Sequence, residues 1–95
     1  MQRFLIEVPH KAEFDACVRV VEIFLKSGSH YLTHAHWGCM DGVHKSWIIA
    51  EVGSKEEAAA ILPPALRSEA TIIGLNDFTL EQIENMLEGH KSAGA

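Results

Sequence analysis

The chain has 95 residues, 47% of them hydrophobic, and a formal charge of −5 from 13 acidic and 8 basic residues. That length makes one domain with a modest core, for which self-association is the expectation, and the acidic balance with scattered cations argues against a phosphate-backbone partner such as nucleic acid. No apolar run reaches the roughly 20 residues that cross a bilayer, and the opening MQRFLIEVPH lacks the cleavage pattern of a secretory leader, so no membrane partner and a soluble, cytoplasmic protein are expected.

In chain order, QRFLIEV alternates as a strand, with Phe4, Ile6 and Val8 on one face, Arg3, Leu5 and Glu7 on the other, and Pro9 at its end. From Lys11 to Ser27 the apolar positions Phe14, Cys17, Val18, Val21, Phe24 and Leu25 recur at three and four, which predicts a helix that Gly28 closes. A second strand is expected from Ser29 to Gly38; MDGV then supplies an Asp-Gly turn and KSWIIAEV a third strand, so the pair reads as a hairpin. Ser54 and Glu57 make a capping box for a short helix that stops before Pro63 and Pro64. ATIIGL is a fourth strand, and Thr79 with Gln82 caps a C-terminal helix. Residues 1–90 read as one domain and 91–95 as a flexible tail.

This order predicts an α+β fold, a ferredoxin-like βαββαβ arrangement with an added C-terminal helix and an antiparallel four-stranded sheet. Right-handed crossovers place the third strand between the first and second, the fourth beyond the first, and both helices on one face. The other face stays open unless a second copy covers it.

Residues 30–44, HYLTHAHWGCMDGVH, hold four of the six histidines. Alternation along the second strand separates Tyr31, Thr33, Ala35 and Trp37 from His30, Leu32, His34 and His36; the first set is the better core face, so the histidines are expected on the open one. Lys45, Trp47, Ile49 and Glu51 of the third strand are expected beside them. Strand directions bring Pro9-His10, His34 to Cys39, and His44-Lys45 to one sheet edge, with Arg67 approaching it. His34 and His36, about 7 Å apart at the backbone, are close enough to share an ion, with His10, His44, Cys39 or Glu7 as a third ligand. Two imidazoles with a carboxylate suit Fe(II), whereas three imidazoles, or imidazoles with a thiolate, suit zinc or copper.

Without a metal, His36 and Glu7 are the candidates for acid and base catalysis. Trp37, Trp47 and Arg67 are the candidate pocket residues, and His30 and His90 read as polar surface. Cys17, on the apolar side of a helix, and Cys39, in a turn, both read as free thiols. Cys39 is expected to be the reactive one, its pKa lowered by neighbouring imidazoles, and Cys17 to pack in the core.

Apart from its tail, the chain resembles small proteins of the dimeric α+β barrel superfamily in length, element order and an opening of the type MQRFLIEVP. These include muconolactone-isomerase-like proteins, the antibiotic-biosynthesis monooxygenase type and GYD-like families. The resemblance implies a homodimer, two sheets packed face to face around a pocket. It carries over no catalytic residue, since the NWH-type constellation of haem-degrading members is absent and THAHWGC has no counterpart. Fold alone does not give function. Three classes follow: a metal-dependent enzyme or a metal-binding protein that takes a divalent transition metal (Zn, Fe or Cu) at the His34/His36 edge, which is favoured; a cofactor-free barrel isomerase or monooxygenase acting on a small molecule; and an ACT-like module that binds a small ligand.

Overall fold

A computed structural model describes residues 1–94, with side chains for residues 1–89. The elements in chain order are β1 (Gln2–Pro9), α1 (Phe14–Lys26), α2 (His30–Thr33), β2 (His36–Trp37), a 3-10 turn (Cys39–Asp41), β3 (Lys45–Val52), α3 (Lys55–Ala60), α4 (Pro64–Arg67), β4 (Thr71–Leu75) and α5 (Leu80–Gly94). The tail expected at 91–95 runs to a residue outside those described, and His90 lies outside the described side chains.

The sheet is antiparallel in the order β2-β3-β1-β4, which makes the chain an α+β protein compatible with a ferredoxin-like fold. Period-two alternation builds its two faces. Phe4, Ile6 and Val8 of β1 and Ile48 and Ala50 of β3 are buried, and they form one core with Phe24 of α1, Leu32 of α2, Ala58 of α3 and Leu62. Opposite them, Ile73, Leu5 and Ile49 line up across β4, β1 and β3, with Ile73 and Ile49 exposed. The Thr79–Gln82 box closes reciprocally at 2.8 and 3.1 Å, whereas at α3 Ser54 Oγ accepts from the Glu57 N–H at 3.1 Å and the Glu57 carboxylate accepts from the Gly53 N–H at 2.9 Å, one residue before the cap. None of the described side chains of α5 is fully buried, and the molecule is elongated, 59 × 28 × 21 Å.

The second strand differs from expectation. Residues 30–33 are a helical turn, and only His36 and Trp37 pair with β3. Gly28, at φ 76°, ends the run of α1, and the Ser29 hydroxyl then accepts from the Leu32 N–H and starts a new turn. One helical turn sends Leu32 into the core, where it is 2% exposed, whereas strand alternation would have placed it on the open face with the histidines. Pro63 and Pro64 also start a helical turn, α4, which the sequence reading did not anticipate.

Candidate metal centre

The residue after β1 and the residue before β3 face each other. Pro9 pairs with Lys45, and one step on the His10 N–H donates to the His44 carbonyl at 3.1 Å. His10 continues the buried series Phe4, Ile6, Val8, and His44 precedes the buried series Ser46, Ile48, Ala50, so both imidazoles fall on the helix side. Their ring centroids are 5.8 Å apart and nearly perpendicular.

Cys39 reaches the pair from the 3-10 turn. The turn lies tight against β3 because residue 38 is glycine: a Cβ there would stand 2.8 Å from both the Val43 carbonyl oxygen and the Trp47 ring. Gly42, at φ 80°, closes the turn in the left-handed region. His10, Cys39 and His44, each half-buried, thereby offer ligand atoms that all lie within 4.8 Å of one another. His10 Nε2 is 3.1 Å from Cys39 Sγ, and on its other side Cys39 accepts the thiol of Cys17, from α1, at 2.8 Å. Trp37 packs 6.0 Å from the His10 ring and 5.0 Å from Phe24, which ties the site to the core.

Cys39 and His44 also form part of the wall of a cavity of about 470 Å³, otherwise bounded chiefly by Phe14, Val18, Val21 and Trp37. Buried polar atoms are normally paired. Among the described residues three buried side-chain polar atoms have no partner, His10 Nδ1, His44 Nδ1 and Ser46 Oγ, and all belong to this edge of the sheet.

Burial, and then the neighbouring His44, hold the His10 pKa below the ordinary histidine value, which keeps the ring in the neutral form that ligates metals. Burial, followed by the hydrogen bond and charge of Cys17, pushes the Cys39 thiol up to about 11. The expected lowering is therefore reversed, because desolvation disfavours the Cys39 thiolate.

These shifts make the metal-free, reduced protein most stable in a middle range of pH. A depressed His10 favours the fold above the unfolded value, and that contribution is lost as pH falls below about 6.5. A raised Cys39 favours the fold while protonated, and that contribution is lost as pH rises from about 9 toward about 11. Urea midpoints across this range should fall at both ends, and His10→Asn should flatten the acid limb; an unchanged acid limb would count against the assignment.

The other expected site residues stand elsewhere. His34 is exposed at the end of α2, where its Nδ1–H donates to the His30 carbonyl at 2.8 Å. His36 is exposed on the open face, paired with Trp47. Neither belongs to the three-residue group. Glu7 is on the open face too, its carboxylate accepting the Trp47 indole N–H at 3.0 Å and lying 3.6 Å from Lys45 Nζ. Arg67 donates to the carbonyls of Leu62 and Ala60 at 2.9 and 3.4 Å, at the end of α3. Of the expected pocket residues, Trp37 lines the cavity and Trp47 and Arg67 do not. Cys17 is the residue whose place at the site sequence reasoning missed; its only signal is a position on the apolar stripe of α1 beside Val18 and Val21.

No protein-family model, curated protein or solved structure matches the chain. The functional reading therefore rests on the chemistry of the site itself.

Proposed function

We propose that the chain binds a divalent transition metal through the imidazoles of His10 and His44 and the thiolate of Cys39, and presents it to a small apolar molecule in the adjoining cavity. The observation that carries this reading is the convergence of ligand atoms from the half-buried His10, Cys39 and His44 within 4.8 Å of one another, with His10 Nε2 3.1 Å from Cys39 Sγ. Two imidazoles and a thiolate suit zinc or copper. A copper site of this type adds a weak axial thioether, but Met40, next to Cys39, is fully exposed at 102%. Glu7, the carboxylate that would favour Fe(II), is on the opposite face of the sheet. Zinc is the best fit, and three protein ligands with a position left over is the pattern of zinc sites that act on a bound molecule. The ion would supply Lewis acidity to an oxygen of that molecule.

Protein purified without a polyhistidine tag, loaded with zinc and freed of excess, should retain one zinc per chain. Its cobalt derivative should show sulfur-to-cobalt charge transfer. Retention of no metal would overturn the reading.

A second reading belongs to the open face. The apolar row Ile73, Leu5, Ile49 crosses its middle, with Ile49 45% and Ile73 44% exposed, and the next row holds Glu7, Trp47 and His36. A second copy packed sheet to sheet would cover the first row and enclose the second, where Glu7 and His36 would act as acid and base. Light scattering at micromolar concentration should then report twice the chain mass. A monomer would leave both groups in water and remove the barrel mechanism, while leaving the metal centre untouched.

A further inference from the structure

We propose that Cys17 and Cys39 form a dithiol–disulfide couple, and that its oxidation takes the Cys39 sulfur away from the metal group; this second part rests on the metal reading above. The two residues are 22 positions apart, yet their sulfurs are 2.8 Å from each other. Each is fixed by its own element. Cys17 lies within the first turns of α1, where its N–H donates to the Glu13 carbonyl at 3.0 Å, and the Cys39 carbonyl accepts the Gly42 N–H at 3.1 Å in the 3-10 turn.

Cys17 is not itself one of the three clustered ligands. Cys39 is thus shared, with His10 Nε2 at 3.1 Å on one side and Cys17 at 2.8 Å on the other. A thiolate ligates a metal ion, whereas a disulfide sulfur carries no charge to donate. The same sulfur therefore serves one partner or the other. Both cysteines line the cavity, which gives a small oxidant a route to them.

The oxidant is a hydroperoxide. One thiolate attacks an oxygen of the peroxide, the O–O bond breaks, water leaves and a sulfenic acid forms; the second sulfur attacks the sulfenic sulfur, the S–O bond breaks and a second water leaves. Two thiols and one hydrogen peroxide become one disulfide and two waters, with two electrons passing from sulfur to oxygen. A small-molecule dithiol reverses the reaction.

The test treats the reduced full chain, loaded with one equivalent of zinc, with hydrogen peroxide. Intact mass and peptide mapping follow the sulfurs, and a chromophoric chelator follows the zinc. Expected are the loss of two hydrogens, a peptide linking Cys17 to Cys39, release of one zinc per disulfide, and recovery of both thiols and zinc binding with dithiothreitol. Cys17→Ser and Cys17→Ala should keep zinc affinity within a few-fold and gain oxygen instead of a crosslink. Free thiols after peroxide, or oxygen added to the parent protein without a link, would overturn the couple. A disulfide formed with zinc still bound at unchanged affinity would overturn the control of the metal. A reduced protein that forms the disulfide but never binds zinc would sink the metal reading and its control, while the couple stands.

Discussion

His44→Ala should weaken zinc binding about a hundred-fold or more, because the ~10–16 kcal/mol of a four-ligand zinc site corresponds to about 3 kcal/mol per ligand and each 1.4 kcal/mol is roughly tenfold. His10→Ala and Cys39→Ser should lose a similar amount, since all three donors converge within 4.8 Å. His34→Ala and His36→Ala should bind zinc as the parent does, because both side chains are exposed and stand outside the group. Competition against a chelator of known affinity measures all five. Equal losses at His34 or His36 would return the site to the HAH stretch and away from the sheet edge.

Phe24→Ala should lower the unfolding free energy by about 3–5 kcal/mol, the usual result of removing a large buried aromatic, from a total of roughly 5–15 kcal/mol for a domain of this kind. The ring is fully buried, at 0% exposure, and its centroid is 5.0 Å from that of Trp37. Trp37 in turn borders His10, so the same cavity would loosen the support under the metal group and the seat of α1 that carries Cys17. Urea denaturation gives the free energy, with Phe14→Ala as the comparison: Phe14 is 82% exposed on the same helix and should change stability by no more than about 0.5 kcal/mol. Equal effects at positions 14 and 24 would mean that α1 does not sit on the sheet through Phe24.

The strands β1, β3 and β4 and the helices α1 and α3 were legible in the chain, because each carries a complete local signal. Phe4, Ile6 and Val8 alternate over a whole strand, Ser54 caps α3 through the Glu57 N–H within four residues, and the buried faces follow from the same periods. The meeting of three chain segments at one sheet edge was legible as well, since strand direction alone requires it. HYLT was not, because four residues of alternating character fit one turn of helix as well as a short strand. What decided it was Gly28 followed by the Ser29 cap, together with a core that had room for Leu32.

The make-up of the site divides in the same way. The sequence by itself determined that His10 and His44 leave and enter strands that meet at one sheet edge; that both rings lie on the helix side, away from the face expected for His34 and His36, follows from the register and burial of β1 and β3. The expectation of open-face histidines came from extending alternation over Ser29 to Gly38, of which only His36 and Trp37 are strand: His36 stands on the open face, whereas His30 lies in a helical turn and His34 at its end. Only the tertiary structure decided that Cys39 joins those two imidazoles and that Cys17 joins Cys39. A cysteine on an apolar helix stripe can meet any part of the sheet beneath it, and a cysteine in a turn follows no period; where α1 rests, through Phe24 on Trp37, and how Gly38 lets the turn close against Trp47 are matters of packing between distant segments.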